Sequence, residues 1–354
     1  MPEDKAEGAE LRSRLGFRSQ RAGVYVGDAL LRGDSKHPRH QSMRPLFILS
    51  LPRAGSTLLQ RMLVSHEGVA TTAEPWILLP LFYATNDRAA DASYDVGVSR
   101  RAIEEFRQLI GPAAHDTALR DYVERLYELA AGERREVVYF LDKTPRYHLV
   151  VEQLLRTFPD ARFIFLWRNP LSVAASIMNS WCHGRWELDR FGGDLFGGLA
   201  RLCDGYDESA TNQYALRFED LTQDDPEVWS GLLSFLELDA IPRPDAPAAI
   251  PGSLGDKTGV RDYTRIDSRP MSKWVRTFAN PLRRRWAREY LDWIGEQRLA
   301  LMGYSLAGLT AELERAPLRR DHLLSDVVRM PLGRLAGIRR ALSFYRDLQD
   351  DTKS

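Results

Sequence analysis

Between Pro45 and His66 the sequence changes its periodicity once, abruptly, and the change leaves few folds open. Pro45-Leu-Phe-Ile-Leu-Ser-Leu51 is almost continuously apolar, as a strand is when both faces of a parallel sheet are covered. Pro52-Arg-Ala-Gly55 interrupts it, and from Ser56 to His66 the residues Leu58, Leu59, Met62 and Leu63 return at helical spacing. A buried strand, a tight loop and a helix make up the repeating unit of an open α/β sheet.

The pattern recurs. Buried strands are expected at Val137–Leu141, Arg162–Trp167 and Gln213–Phe218, and helices at Tyr147–Thr157, Pro170–Trp181, Glu227–Leu236 and Pro281–Met302. Asn169 is a good N-cap for the second of these helices, and Pro170 a good first helical residue. Trp76–Gly132 reads as mostly helical, whereas Asp239–Asp256 is rich in Pro, Gly and Ala and reads as a long loop. Lys257–Lys273 is expected to be irregular. Strands alternating with helices predict a three-layer α/β fold, a central parallel β-sheet flanked by helices. The domain is placed at 45–304, after a loosely ordered arm (1–44) carrying a short element at Tyr25–Leu31. A basic helical extension (305–354) follows.

With 354 residues the chain is long enough to bury a full core. Its 49 basic and 49 acidic side chains argue against a nucleic-acid binder, which carries a basic excess. Cys182 and Cys203 form no C-x-x-C pair and read as buried thiols, in keeping with a reducing compartment. No apolar run reaches the roughly 18 to 20 residues of a membrane span, and residues 1–44 lack the apolar core of a signal peptide. A soluble, cytoplasmic protein is expected.

Chemistry concentrates at strand ends. In Leu51-Pro-Arg-Ala-Gly-Ser-Thr-Leu58, Gly55 allows close backbone approach to an anion, Ser56 and Thr57 supply hydroxyls, and Arg53 supplies a permanent charge. The G-x-x-x-x-G-K-[ST] spacing of a Walker A loop is absent. After the third expected strand, Arg168 leaves the strand end, and Ser176 lies about two turns into the next helix on the same face as Ser172. The C-terminal end of such strands is where open α/β sheets bind ligands.

These two segments, in this order and at this separation, resemble the nucleotide-binding motifs of the PAPS-dependent sulfotransferases (PAPS is 3′-phosphoadenosine 5′-phosphosulfate). The style is closest to bacterial-type members with a glutamate base. Phe218-Glu-Asp-Leu221 and Met271-Ser-Lys-Trp274 resemble two further family segments, and the likeness extends over Pro45–Tyr304. It implies a P-loop-like fold in which Arg53, Ala54, Gly55, Ser56 and Thr57 cradle the 5′-phosphosulfate. Arg168 and Ser176 would hold the 3′-phosphate, with Ser272, Lys273 and Trp274 closing the nucleotide site. The loop departs from the family at Ala54, where most members carry a hydroxyl residue.

The resemblance also implies a mechanism, the in-line displacement of PAP from sulfur by an acceptor hydroxyl, without a metal. Glu74, in Thr71-Thr-Ala-Glu-Pro-Trp76, takes the place of the base; another branch of the family uses a histidine, for which His115 and His148 are the available substitutes here, neither in a comparable setting. Lys143, in Asp142-Lys-Thr-Pro145, stabilises the transferring group together with Arg53 and Ser272. The acceptor pocket is expected from Trp76–Phe82 and from Trp181–Phe196, with Trp181, Trp186, Phe191 and Phe196 giving it an aromatic character. That character suits a sugar or an aryl ring, leaving a small molecule such as a phenol, a saccharide, a peptide tyrosine or a lipid-linked hydroxyl open, with the saccharide or lipid-linked hydroxyl preferred. Two alternatives remain at this stage: a phosphotransferase using Asp142 as its Mg²⁺ carboxylate, and a non-catalytic PAP- or PAPS-binding protein. The arginine-rich tail, with Leu324, Val327, Val328 and Leu332 at helical spacing, suggests peripheral contact with an anionic membrane or a partner subunit, or a helix packing on the domain.

Overall fold

A computed structural model of the protein describes residues 43–84, 96–250 and 273–333, apart from positions 135, 224 and 247. The expected arm, with its element at Tyr25–Leu31, lies outside these residues up to Ser42, and the tail lies outside them from Arg334.

Five strands form one sheet: β1 (Arg44–Leu49), β2 (Val69–Thr71), β3 (Tyr139–Asp142), β4 (Arg162–Trp167) and β5 (Gln213–Arg217). Their order is β2-β3-β1-β4-β5, and every neighbouring pair is parallel. Side chains alternate across the sheet with period two. Phe47, Leu49, Phe140, Phe163, Phe165 and Trp167 enter one core, while Leu46, Ile48, Tyr139, Leu141, Ile164 and Leu166 enter the other. Burial on both faces explains why the strands read as continuous apolar runs. The expected layered α/β architecture is the one observed.

Helix α1 (Ser56–Leu63) covers the second core. Helices α2 (Leu78–Tyr83), α4 (Pro112–Ala131), α5 (Val151–Thr157), α6 (Pro170–Trp181) and α7 (Leu199–Gly205) line the first, whereas α3 (Val96–Ile110) buries no residue. After β5, the short α8 (Phe218–Thr222) and α9 (Pro226–Phe235) return to the second core. The described residues end in α10 (Lys273–Thr277), α11 (Pro281–Leu301), α12 (Leu306–Arg315) and a helical stretch at 323–333. Asn169 caps α6 as expected, its side-chain oxygen accepting from the N–H groups of Leu171 and Ser172.

The structure differs from the sequence reading at three places. Strand β2 was not expected; three residues are too few to show a period, and its pairing with β3 defines it. The helix expected over Tyr147–Thr157 is split into a 3₁₀ turn (Tyr147–Leu149) and α5, because Val150 leaves helical geometry. The turn is held from elsewhere: His148 is fully buried, bonded to Asp194, and pressed so closely on Gly198 that a Cβ there would come within 2.2 Å of its ring. Helix α11 is kinked at Gly295, which has φ +78°. No helix among the described residues is long and apolar enough to cross a membrane.

Candidate active site

The sheet order decides which loops meet. Because β1 lies between β3 and β4, the loop after β1 is flanked by the ends of the strands carrying Lys143 and Arg168. The three segments were separate in the sequence; the fold makes them neighbours.

The loop after β1 turns sharply through two left-handed residues, Arg53 (φ +68°) and Gly55 (φ +100°). A left-handed Arg is strained, and such strain concentrates at functional sites. Gly55 is required for a second reason. A Cβ there would lie 2.2 Å from the Phe218 ring, so the absent side chain makes room for an aromatic ring packed beneath the loop. Helix α1 begins at Ser56, and no side chain caps it. Its first amides and the positive end of its dipole therefore remain available to an anion. Ala54 points into the core, so the hydroxyl lost there would have been buried.

On one flank, Arg168 donates through Nη1 to the Arg53 carbonyl (2.8 Å) and lies with its guanidinium 4.4 Å from the Phe218 ring centre. Arg53 in turn reaches α6, donating to Ser176 Oγ and Ser180 Oγ, each at 3.3 Å. Arg53, Arg168 and Ser176 thus form one connected group. Phe218-Glu-Asp-Leu221 gains a concrete role. Phe218 supports both Gly55 and Arg168, while Glu219 accepts from the Asn169 N–H (3.1 Å) and from the Tyr304 hydroxyl (2.5 Å).

On the other flank, the Lys143 ammonium donates to Glu74 Oε1 (2.6 Å) and to Thr57 Oγ1 (3.3 Å). The lysine side chain is 2% exposed and that of Glu74 11%. The second Glu74 oxygen accepts from the Trp76 indole (3.2 Å), and the Trp76 backbone N–H donates to Thr144 Oγ1 (3.3 Å). Trp76, also left-handed at φ +59°, was singled out in the sequence only as pocket lining; here it fixes the carboxylate. Nothing in its neighbourhood in the sequence signals that role.

Asp142, the residue before Lys143, is fully buried and accepts from the hydroxyls of Tyr127 (2.6 Å), Tyr147 (2.7 Å) and Thr144 (3.2 Å). Burial pushes its carboxyl up to about 6 and both tyrosines well above their usual range.

The remaining expected residues separate. Trp181 is exposed, 5.8 Å from the Arg53 guanidinium and packed on Phe191. Trp186 is buried against Trp286, and Phe196 packs on Tyr290 and Trp293. Trp274 is buried in the main core. Ser272 lies outside the described residues, and Lys273 opens α10. His148 is enclosed between the Pro145 carbonyl and Asp194, and His115 pairs with Asp116 on α4. Cys182 and Cys203 are buried free thiols, Cys203 raised to about 12 by burial. Among the described residues, no group of three or more His, Cys, Asp or Glu side chains is placed to hold a metal ion.

Compared with known proteins, residues 45–242, more than half of the chain, match the family model described as the sulfotransferase family. The protein belongs to that family. Nodulation protein NoeE of Sinorhizobium fredii is 34% identical over 137 residues, covering 38% of this chain and 31% of that one. An uncharacterized protein of Aquifex aeolicus is 30% identical over 210 residues, covering 56% of this chain and 26% of its own. Each alignment spans less than a third of the relative's length. Among solved structures, the sulfotransferase domain of the curacin biosynthetic pathway is similar at 21% identity and a TM-score of 0.44, over 66% of this sulfotransferase and 90% of that chain. A mouse sulfotransferase complexed with PAP is similar at 13% identity and a TM-score of 0.45, over 76% and 88%.

Proposed function

We propose that this sulfotransferase takes its sulfuryl group from PAPS and passes it to an acceptor hydroxyl, with Glu74 as the general base. One observation carries the reading: the Lys143–Glu74 pair touches the anion-type loop through Thr57, at a bond of 2.6 Å and a bond of 3.3 Å. The donor set fits a polyanionic nucleotide. Arg53, Ser56, Thr57, Lys143, Arg168 and Ser176 are all cationic or hydroxylic, and no acidic side chain occurs in the loop.

When bound, PAPS supplies the sulfuryl group, whose sulfur exchanges its bond to the 5′-phosphate oxygen for a bond to the acceptor oxygen. Loop 53–57 would orient the 5′ end and neutralise the charge developing on the leaving oxygen. Arg168 and Ser176 would hold the 3′-phosphate, with Ser272 and Lys273 completing the nucleotide site, while Trp274, buried in the main core, would anchor the segment that carries them. Glu74 accepts the proton of the attacking hydroxyl. As it does so it loses its charge, and the Lys143 cation, no longer matched, is released to the leaving oxygen. Trp76 keeps the second Glu74 oxygen oriented. The exposed rings of Trp76 and Trp181, the latter packed on the half-buried Phe191, favour a saccharide or lipid-linked hydroxyl, which offers a stacking face beside the reacting oxygen. The buried, free thiols Cys182 and Cys203 accord with a cytoplasmic enzyme.

The phosphotransferase reading loses support at Asp142. Its oxygens are engaged by three hydroxyl groups in a fully buried position, where it cannot serve as a metal carboxylate without dismantling that network. Titration calorimetry with PAP, in metal-free buffer, tests the proposal. Micromolar binding that collapses in Arg168→Ala, together with turnover of PAPS, is expected. Absence of PAP binding to the unaltered protein would overturn the assignment.

A further inference from the structure

The helical stretch 323–333 docks on the body by one face and leaves an apolar face outward. On the docked side, Asp326 and Met330 are buried, and Gly333 is pressed so closely on Asp189 that a Cβ there would come within 2.0 Å of its carboxylate. On the opposite side, Leu324 is 88% exposed, Val327 55%, Val328 59% and Leu332 59%. At 100° per residue these four positions, with Pro331 between them, make one continuous arc. An ordinary surface helix shows the reverse arrangement, apolar inward and polar outward.

The orientation is fixed. Arg283 donates to Asp326 through Nε (2.6 Å) and Nη2 (3.1 Å), and Asn280 Nδ2 donates to the same carboxylate (2.7 Å). Arg283 and Asp326 are both almost fully buried. Arg329 adds a bridge to Glu187 at 3.4 Å. Rolling the helix to hide its apolar arc would pull Asp326 away from a buried guanidinium, and leaving such a charge unpaired is strongly unfavourable. The ion pair therefore acts as a rotational lock that holds leucine and valine side chains in solvent.

The surrounding charge points to one kind of partner. Between Arg315 and Arg346 the sequence carries eight arginines and two aspartates; Asp326 is taken by Arg283 and Asp321 by Arg319 at 2.8 Å, so the arginines stay in excess. Arg319 and Arg320, at the entrance to the helix, are exposed. A second copy of this chain would bring the same positive charge to the interface and be repelled, whereas an anionic headgroup layer complements it.

We infer that the helical stretch 323–333 is a docking face for an anionic lipid surface, laying Leu324, Val327, Val328 and Leu332 into the headgroup boundary while flanking arginines meet the lipid phosphates. The inference does not depend on what the active site catalyses, since it is read from binding alone.

Vesicle flotation of the full chain tests it, using phosphatidylcholine with and without about 30 mol% phosphatidylglycerol. Binding only to the anionic vesicles, weakened by salt, is expected. Leu324→Glu with Val328→Glu, both exposed and so neutral to folding by circular dichroism, should weaken it at least about tenfold. Arg319→Ala with Arg320→Ala should weaken binding and flatten its salt dependence. No binding to anionic vesicles, or binding that survives in the glutamate variant, overturns the inference. So does a concentration-dependent dimer in sedimentation velocity that the glutamate variant disperses, because the arc would then belong to a second copy.

Discussion

Lys143 Nζ lies 2.6 Å from Glu74 Oε1, across a sequence separation of 69 residues, in a pair that is almost wholly buried. In the proposed mechanism the two act separately, one on the acceptor proton and one on the leaving oxygen. Their contact makes each the counter-ion of the other until the proton moves. Glu74→Gln should lower kcat by about 10²- to 10⁴-fold while PAP affinity holds. Calorimetry should show that variant destabilised by up to about 3 kcal/mol, because a buried ammonium has lost its carboxylate. Adding Lys143→Met should restore the melting temperature and leave activity lost, a split that a purely structural ion pair would not produce. A Glu74→Gln enzyme with unaltered kcat would remove Glu74 from the chemistry.

The Gly55–Phe218 contact makes a second prediction. Gly55→Ala meets two penalties, an unfavourable positive φ and a Cβ 2.2 Å from the ring. A loss of about 1–3 kcal/mol in stability is expected, with PAP affinity falling because the loop must shift. In a Phe218→Ala background the steric part disappears, so the double variant should be less damaged than the two single losses together. Additive losses in chemical denaturation would show that the ring does not support the loop.

The sequence displayed most of this sheet because its strands are buried on both faces and its helices announce their ends. The runs at β1 and β4 and the cap at Asn169 are local signals, readable without tertiary information. Strand β2 was hidden by its three-residue length, and the broken helix at Tyr147 by an override from outside, the seating of His148 against Gly198 and Asp194. Likewise, the proximity of Arg53, Lys143 and Arg168 follows from strand order, which no local pattern encodes; only the family resemblance suggested it. Trp76 illustrates the limit well. Its indole bond to Glu74 depends on a left-handed backbone, a conformation that tryptophan does not advertise.

A third prediction concerns the lock on the terminal helical stretch. Asp326→Ala leaves the Arg283 guanidinium buried without its bidentate partner, which should cost about 3–5 kcal/mol. Replacement of both, as Arg283→Met with Asp326→Leu, should recover much of that loss. Limited proteolysis should cut the single variant near 321–333 first, while the sheet stays protected. Cleavage patterns identical to the unaltered protein would show that the pair does not hold the helix down.

Asp142 gives the fourth, through pH. Its folded value of about 6 lies above the ordinary aspartate value of 3.8, with burial the largest cause. The folded state therefore binds the proton more tightly than the unfolded chain. The resulting stabilisation is fully present below about pH 4, fades as pH rises through about 6, and is gone above that. The two-unit difference corresponds to something on the order of 3 kcal/mol. Asp142→Asn keeps the shape, lets its amide oxygen accept from Tyr127 and Tyr147, and turns its NH₂ towards Thr144. Its stability should be flatter than that of the unaltered protein between about pH 4 and 6 and higher at neutral pH, as read from denaturation midpoints across that range. Parallel curves would mean that Asp142 does not titrate in this window. If the curves diverge as expected, the fold tolerates an ionised carboxylate among the hydroxyls of Tyr127, Tyr147 and Thr144 at a standing cost in stability, and the three bonds it accepts there are what hold that cost down.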